Sequence, residues 1–354
     1  MDFVEVDGSE GEGGGQILRS AVSFAIVMKK PVRVSRVRAG REVPGLKRQH
    51  VSSLKVLAEI FDCNLTGASE GSSEVTLIPG TPRREEFSAD MGTAASIPLV
   101  LQAVVPAVSL TGSRLSLDLV GGTDVPWSPT FDYLASVVAG GFAAMGVGFS
   151  ARAARRGYYP KGGGRATAEV QPCLRPKPLM LPEPAHPTAA RLVSRCGSLP
   201  RHVAERQARA ASDILKAGGL EVEEPTVSEE DSYSPGSSIL ATLAGQGVYV
   251  GTDGLGAKGV RAEEVGEDVA RRLLVAWRSG ARVDANLADM VVPIVSLADG
   301  PSKFRTCEAT QHLRSSLSLA RQFTGCSYDV VGEGSGAVVS LTPAIDSDET
   351  RHNV

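Results

Sequence analysis

Apolar and polar positions alternate in short runs and recur at helical spacing in longer ones, in an order that repeats along the chain. Residues 3–6 and 31–40 have the alternating pattern of strands, whereas residues 17–27 and 50–61 place apolar side chains on one helical face. A further strand ends at Ile78. The first eighty or so residues therefore predict the order strand, helix, strand, helix, strand.

The same order returns in the next part of the chain. Helices are predicted over 94–105 and 133–145, and strands over 115–120 and 166–170. Two turns also match in their letters, since Val-Arg-Ala-Gly-Arg-Glu-Val-Pro at 37–44 aligns with Leu-Val-Gly-Gly-Thr-Asp-Val-Pro at 119–126. A match at this spacing predicts a duplicated unit of about 80 residues.

A third copy is predicted near the end of the chain. A helix over 287–297 and a strand over 303–307 precede Gln-His-Leu-Arg-Ser-Ser-Leu at 311–317, whose letters resemble Gln-His-Val-Ser-Ser-Leu at 49–54. Copies two and three are separated by a proline-rich joint, which indicates a boundary. Its prolines are Pro176, Pro178, Pro182, Pro184 and Pro187.

The segment after this joint has a pattern of its own. Helices are predicted over 202–216 and 263–277, with strands near 220–222, 239–243 and 248–250. We therefore expect a large domain formed by residues 1–186 and 281–354, and a smaller inserted α/β domain formed by residues 187–280.

Composition narrows the class of protein. A formal net charge of −3 excludes a strongly basic chain, so a nucleic-acid contact would need a local basic patch. No apolar run is long enough to span a bilayer and no signal peptide is evident, which predicts a cytoplasmic protein. The five cysteines are scattered without a C-x-x-C pair, so we expect them to be reduced and mostly structural.

The stretch from Asp7 to Ser20 is rich in glycine and lies between a predicted strand and a predicted helix. Glycines at a helix N-terminus let backbone N–H groups approach an anion closely, so this stretch is a candidate phosphate loop. It matches neither the P-loop nor the dinucleotide fingerprint. Glu12, Gln16 and Arg19 add three polar side chains within about two helical turns. The alternative is a glycine-rich turn with three solvated side chains.

A second glycine motif, Gly-Leu-Gly-Ala-Lys-Gly at 254–259, fits G-x-G-x-x-G. The preceding strand is short, and the next candidate acid, Asp284, lies further on than the roughly 20 residues expected. A structural turn is therefore favoured over dinucleotide binding.

Taken together, the motifs resemble those of the RNA 3′-terminal phosphate cyclase family, in order and over nearly the whole chain. The most specific of them is Arg-Gly-Tyr-Tyr-Pro-Lys-Gly-Gly-Gly at 156–164. The other matching blocks are residues 7–19, Arg38 to Arg41, Pro44 to Leu46, Gln49-His50, Gly92 to Ala94 with Gln102, 121–129, and 199–207. The resemblance implies an α/β (α+β) fold in which three repeated βα units with four-stranded sheets carry a smaller insert before the last unit.

The resemblance also implies a reaction. Members of this family use ATP and a divalent cation, Mg²⁺ or Mn²⁺, to convert an RNA 3′-terminal phosphate into a 2′,3′-cyclic phosphodiester. A histidine attacks the α-phosphorus of ATP, AMP passes to the RNA 3′-phosphate, and the 2′-hydroxyl displaces AMP. Neutral imidazole suits such a nucleophile near neutral pH.

The match assigns roles to particular residues. His312 occupies the position of the nucleophile, although a histidine early in a helix is more often a surface or capping residue. Arg19, Arg38 and Arg41 are candidates for phosphate binding, with ordinary surface arginines as the alternative. Glu12 is the candidate metal ligand, with a helix cap as the alternative. The remaining positions in or near the site are Gln16, Gln49, His50, Gln102, Pro129, Asn286 and Asp289.

Asp289 in Leu287-Ala288-Asp289 is a second active-site acid by resemblance, with a helix cap as the alternative. Two other positions concern the adenine ring. Pro129 is at a position that would pack on adenine. Many relatives have tyrosine directly before Leu-Ala-Asp, where this chain has Asn286. The replacement implies weaker stacking on the base.

Two other classes of protein are compatible with parts of the pattern. A non-catalytic cyclase-like scaffold of ribosome assembly would lack the nucleophile, whereas this chain has His312 together with Glu12 and Arg19. An enolpyruvyl transferase shares repeated α/β units but uses neither ATP nor a nucleophilic histidine. The expected partners are therefore ATP and an RNA with a 3′-terminal phosphate, without a membrane, and both a monomer and a homodimer stay open.

Overall fold

The first unit of the computed structural model is a four-stranded sheet with two long helices; the structure describes residues 2–11, 14–82, 84–92, 95–332 and 336–344. Its elements are β1 (Val4–Asp7), α1 (Gly15–Val27), β2 (Val32–Ser35), α2 (Arg48–Phe61), β3 (Asn64–Thr66) and β4 (Val75–Ile78). In the order β1-β2-β4-β3, β1 is parallel to β2 and the other neighbours are antiparallel. Strand β2 is shorter than predicted because Arg36 and Arg38 have left-handed backbones, with φ of 54° and 55°.

The second unit repeats this arrangement. Its elements are β5 (Glu86–Asp90), α3 (Ile97–Leu110), β6 (Leu115–Gly121), α4 (Phe131–Tyr133), a π-helix (Leu134–Val138), α5 (Ala139–Ala144), β7 (Phe149–Arg155) and β8 (Gly164–Val170). The strand order β5-β6-β8-β7 has the same parallel first pair and the same antiparallel neighbours as the first sheet. The duplicated topology predicted from the letter repeat is thus present.

The third unit begins with β9 (Met180–Leu181), after which the chain forms a separate five-stranded sheet before returning. The elements of this part are β10 (Ala189–Gly197), α6 (His202–Ala217), β11 (Glu221–Val222), β12 (Thr226–Glu230), β13 (Gly236–Ala244), β14 (Gly251–Leu255) and α7 (Ala262–Arg278). Helices α6 and α7 pack on this sheet around an apolar core that includes Leu192, Ile239 and Leu273. The strand predicted at 248–250 begins at Gly251 instead.

The chain then completes the third unit. Its remaining elements are α8 (Ala285–Met290), α9 (Val292–Val295), β15 (Ser302–Thr306), α10 (Gln311–Thr324), β16 (Ser327–Val331) and β17 (Ala337–Thr342). The strand order β9-β15-β17-β16 reproduces that of the other two units, with β9 parallel to β15. The predicted helix over 287–297 is two short helices. The insert consequently lies inside the third unit, between its first strand and its first helix, and not before the unit as expected.

The two ends of the insert lie side by side, since the backbone N–H of Ala185 donates to the carbonyl oxygen of Gly280 at 3.0 Å. We propose, with this contact as support, that residues 187–280 form a domain distinct from residues 1–186 and 281–354.

Helix α1 packs against both α3 and α10 in the large core, which brings the first unit into contact with the second and the third. The rings of Phe24 on α1 and Phe323 on α10 are stacked, with centroids 5.5 Å apart. This packing sets the N-terminal turns of α1 and α10 beside each other. Across the described ranges, no helix combines the length and the apolar character needed to cross a membrane.

Candidate active site

The side chain of Gln16, in the first turn of α1, contacts three residues on two helices of the third unit, α8 and α10. Its Oε1 lies 3.2 Å from Nδ1 of His312 on α10. Its Nε2 donates to Oδ2 of Asp289 on α8 at 3.1 Å and to Oγ of Ser316 at 2.6 Å. Nε2 also lies 3.3 Å from the carbonyl oxygen of His312. Gln16 is therefore the hub of a hydrogen-bonded cluster that unites residues distant in sequence.

This network fixes the tautomer of His312. Two of the partners of the Gln16 amide, the carbonyl oxygen of His312 and the carboxylate of Asp289, accept hydrogen bonds, so the NH₂ group of Gln16 must face them. The amide oxygen then faces Nδ1 of His312, which has to donate. The proton of the neutral ring is therefore on Nδ1, and Nε2 carries the lone pair.

His312 occupies the second position of α10, where the positive end of the helix dipole favours an anion. The helix begins after Thr310, whose hydroxyl accepts from the N–H of Leu313 at 3.1 Å. The side chain of His312 is half-buried. An electrophilic phosphate in front of Nε2 would thus lie next to a helix N-terminus.

Arg19 and Asp289 form the charged part of the cluster. Burial raises the pKa of Asp289 to about 7, against the opposing effects of the Arg19 charge and the Gln16 hydrogen bond. Burial also lowers the pKa of Arg19 to about 10, which Asp289 partly offsets. Arg19 is charged at neutral pH, and Asp289 is close to its midpoint there.

His50 lies close to this cluster, but its neutral ring is the other tautomer. Its Nδ1 accepts from the backbone N–H of Lys47 at 3.1 Å, which leaves the ring proton on Nε2. Burial, together with the charges of Arg19, Arg38 and Lys47, lowers its pKa to about 3. His50 is therefore neutral at physiological pH and lacks a free lone pair, which makes it a poor nucleophile.

Two glycines allow these side chains to approach the start of α1. A Cβ at Gly15 would lie 2.3 Å from Nε2 of His50 and 3.1 Å from Nη1 of Arg19. A Cβ at Gly14 would lie 3.6 Å from Arg41 and 4.0 Å from His312. Gly14 and Gly15 thus lie between the arginines and the histidines, as glycines of a phosphate loop would.

The side chain of Arg38 makes hydrogen bonds to the backbone that the sequence did not predict. Its Nη1 donates to the carbonyl oxygens of Val43 and Gly45, both at 2.9 Å, and the residue is 7% exposed. Burial and the nearby charge of Arg41 lower its pKa. The side chain of Arg38 consequently holds the loop around Arg41, and the two like charges favour an anion between them.

Gln102 on α3 completes the inner wall of the site. It lines a small cavity together with Gln16, Arg19 and Asp289. Its Nε2 is buried, and among the residues that the structure describes it finds no hydrogen-bond partner. An unpaired amide in such a cavity is suited to bind water or a ligand oxygen.

The other predicted site residues are placed less centrally. Gln49 and Pro129 are half-buried and Asn286 is exposed, and the hydrogen bonds that define the cluster do not include them. Ser316, which accepts from Gln16, was not predicted as a site residue. It lies one helical turn after His312, a spacing that places both side chains on one face and was a usable signal.

The described residues do not by themselves make a metal site. Among residues 2–11, 14–82, 84–92, 95–332 and 336–344, no group of three or more His, Cys, Asp or Glu side chains is placed to hold a metal ion. Asp289 is held by Gln16 and faces Arg19, which suits an ion-pairing acid better than a metal ligand. The expected ligand, Glu12, lies outside the described residues.

Comparison with known proteins gives the family. The family model described as RNA 3′-terminal phosphate cyclase matches residues 10–330. The RNA 3′-terminal phosphate cyclase of Caldivirga maquilingensis is 37% identical over 350 residues, 96% of this chain and 98% of the relative. The proteins of the same name from Methanopyrus kandleri and Ignicoccus hospitalis are 38% and 41% identical, covering 97% and 91% of this chain and 99% and 92% of the relatives. The chain belongs to the RNA 3′-terminal phosphate cyclase family, a family of enzymes.

Proposed function

We propose that the protein converts an RNA 3′-terminal phosphate into a 2′,3′-cyclic phosphodiester at the expense of ATP, with His312 as the covalent nucleophile. The observation that carries this proposal is the contact between Gln16 Oε1 and Nδ1 of His312, because it leaves Nε2 of the ring unprotonated. Family membership supplies the reaction class.

Three steps account for the overall change. Nε2 of His312 attacks the α-phosphorus of ATP and pyrophosphate leaves, which gives a phosphoramidate on a cationic ring whose Nδ1–H still donates to Gln16. An oxygen of the RNA 3′-phosphate then attacks the same phosphorus, and neutral His312 departs. Finally the 2′-hydroxyl loses its proton and attacks the activated 3′-phosphorus, so that AMP leaves and the ring closes.

The arginines around the glycine-rich stretch offset the negative charge of the phosphates in these steps. Arg19 and Arg41 face the start of α1, and guanidinium groups bind phosphoryl oxygens in two-point geometry. The positive end of the α10 helix dipole adds a further anion site beside His312. Arg38 contributes its charge while its side chain holds the loop that carries Arg41.

Asp289 assists the histidine through Gln16. Its carboxyl group fixes the Gln16 amide, and that amide in turn orients the ring of His312. Since the pKa of Asp289 is close to neutrality, it also gives the site a group that takes up or releases a proton near physiological pH.

The finer cofactor assignments rest on the resemblance. Glu12 would hold the divalent cation, Mg²⁺ or Mn²⁺, together with phosphate oxygens, and a bound cation would offset phosphate charge. Pro129 and Asn286 would flank the adenine ring, with Gln49 and Gln102 as further polar contacts to ATP. The protein would work in the cytoplasm.

Incubation with α-labelled ATP and 3′-phosphorylated RNA tests the proposal. We expect an AMP adduct on the peptide that contains His312, loss of the adduct in His312→Ala, and a cyclic phosphate on the RNA. His202→Ala is the matched control, because His202 is exposed at the start of α6.

A second substrate separates the steps. An RNA already adenylylated at its 3′-phosphate bypasses the histidine, so His312→Ala should still close that ring at an appreciable rate. Normal labelling of His312→Ala would place the nucleophile elsewhere, and a wild-type protein that never labels would favour a non-catalytic scaffold.

A further inference from the structure

Three exposed aromatic side chains are gathered where the second unit meets the insert. Trp127 is 94% exposed, Tyr159 is 64% exposed and Tyr233 is 55% exposed. They belong to three different segments, the loop before α4, the turn between β7 and β8, and the turn between β12 and β13. Large rings left in water at such a junction indicate a surface that a partner covers.

Backbone contacts hold the three segments together. Asp124 and Tyr158 pair as an isolated parallel bridge, so the loop that carries Trp127 runs beside the turn that carries Tyr159. The N–H of Lys161 donates to Oγ of Ser234 at 3.2 Å, which ties this turn to the one that carries Tyr233. The rings are thus presented from a fixed backbone.

Side-chain packing does not explain the backbone conformation of Trp127. Its backbone is left-handed, with φ of 67°, a region that a bulky side chain rarely adopts. The next residue is held by the hydrogen bond between Oγ of Ser128 and Oγ of Ser96, at 2.6 Å. The backbone is therefore constrained, yet the indole ring packs on almost nothing, and such an outlier points to function.

Cations accompany the rings. The guanidinium carbon of Arg155 lies 4.1 Å from the centroid of the Tyr233 ring. Lys161 is exposed next to Tyr159, and the segment 155–163 contains no acidic residue. Aromatic rings interleaved with basic side chains are the combination that binds single-stranded nucleic acid, because bases stack on the rings and phosphates meet the cations. An apolar protein partner would not account for the cations.

The surface is connected to the candidate active site. Ser96, which holds the Trp127 loop, caps α3, and the same helix carries Gln102 into the cavity lined by Gln16 and Asp289. An RNA whose 3′-phosphate lies at His312 would have its preceding nucleotides outside that cavity.

We propose that Trp127, Tyr159 and Tyr233, with Arg155 and Lys161, form a stacking surface for the nucleotides that precede the 3′-terminal phosphate of a single-stranded RNA. The inference rests on the proposed function, which makes such an RNA the substrate. Stacking of this kind tolerates any base, so the surface selects for an unpaired strand and not for a sequence.

Fluorescence of Trp127 provides a direct test. The chain contains two tryptophans, and Trp277 is engaged through its Nε1, which donates to the carbonyl oxygen of Pro187. Titration of the wild-type protein with a 3′-phosphorylated oligoadenylate of eight nucleotides should quench the emission. Trp127→Phe keeps an aromatic ring and should bind the oligonucleotide without the quench.

Affinity for the same oligonucleotide, measured by fluorescence anisotropy without ATP, tests the rings as a group. Trp127→Ala, Tyr159→Ala and Tyr233→Ala should each weaken binding about tenfold, as expected for the loss of one stacked base. Tyr328→Ala is the matched control, because this tyrosine is 36% exposed on β16 of the third unit, whereas the proposed surface belongs to the second unit and the insert. A 3′-phosphorylated dinucleotide, too short to reach all three rings, should bind wild type and variants more nearly alike.

Failure of the inference differs from failure of the proposed function. AMP transfer from ATP to the protein needs no RNA, so all three variants should label as wild type does. Wild-type cyclisation together with unchanged affinity of the three variants for the octanucleotide would overturn the stacking surface. A wild-type protein that binds the octanucleotide through these rings but never labels would instead overturn the proposed reaction.

Discussion

Gln16 and His312 are separated by 296 positions in the sequence, yet their side chains meet at 3.2 Å. The contact exists because α1 and α10 pack side by side with their N-terminal turns level. It joins the glycine-rich stretch of the first unit to the histidine of the third. The repeated units are thus arranged so that the candidate site lies between copies, and not within one.

Replacement of Gln16 by alanine should slow the AMP transfer to the protein. The variant removes the acceptor that keeps the ring proton on Nδ1, and the loss of one such hydrogen bond corresponds to roughly 10- to 100-fold in rate. Single-turnover labelling with ATP measures the effect. Gln322→Ala is the control, because this exposed glutamine on α10 donates to the carbonyl oxygen of Glu5. Equal labelling rates for Gln16→Ala and wild type would remove Gln16 from the mechanism.

Asp289 should titrate far above the ordinary value of 3.8, with a pKa of about 7, because burial opposes its ionisation. Carboxyl-carbon NMR of labelled aspartate measures this directly. Arg19→Ala should raise the pKa further, since the charge of Arg19 lowers it. Asp118, whose pKa is lowered by the hydrogen bond from Arg165, is an internal reference in the same spectra. A midpoint near 4 for Asp289 would contradict the burial seen in the structure.

The sign of the stability effect of Asp289 follows from its raised pKa. Between about pH 4 and pH 7 the folded state binds the proton more tightly than the unfolded state does, so the contribution of this group to stability falls as pH rises through that interval. Urea unfolding of wild type and Asp289→Asn at pH 5 and pH 8 should show a steeper loss in the wild type. Parallel pH dependence in the two proteins would rule out this assignment.

Gly15→Ala should destabilise the protein and slow AMP transfer together. The new Cβ would overlap Nε2 of His50, and overpacking of a filled site costs about 1–3 kcal/mol. Gly148→Ala is the control, because the nearest atoms to its Cβ are 3.7 Å away. Addition of His50→Ala to Gly15→Ala should recover part of the loss, and strictly additive effects would show that the two residues do not touch.

Arg156 should be among the most sensitive positions for folding. It is 3% exposed and contacts Asp124 at 3.2 Å, Asp132 at 3.0 Å and Glu230 at 2.7 Å, the last of which lies on β12 of the insert. Arg156→Met leaves the buried carboxylate of Asp124 without its cation, whereas Asp132 and Glu230 keep Arg195, and should lower the free energy of unfolding by about 3–5 kcal/mol.

Urea unfolding of Arg156→Met measures that loss. Arg165→Ala breaks the exposed pair with Asp118 and should change the free energy of unfolding far less, because solvent screens that pair. Similar losses in the two variants would mean that the buried network adds little to the stability of the fold.

The sequence predicted the first two units well because their hydrophobic periods are regular and their turns share letters. The third unit was only partly predictable, because β9 is two residues long and the whole insert separates it from its helix. A strand so short has no detectable alternation. The interrupted helix from Phe131 to Ala144 was also missed in detail, since the apolar pattern is the same for α and π segments.

The candidate site was predictable in its membership more than in its roles. Motif resemblance named Gln16, Asp289 and His312, but the hydrogen bonds that join them depend on how α1, α8 and α10 pack. Likewise, the left-handed backbone of Arg38 and its bonds to Val43 and Gly45 belong to a loop geometry that no periodicity encodes.

The contact between Ala185 and Gly280 has a consequence for the order of folding during synthesis. Strand β9 emerges from the ribosome long before its partner β15, so it has no sheet to join while the insert is being made. Once the five-stranded sheet has folded, the two ends of the insert are side by side. The chain that follows the insert then starts next to strand β9. Folding of the insert thereby offsets the entropic cost of closing the long segment between β9 and β15. The last unit then assembles as if β9 and its first helix were neighbours in sequence.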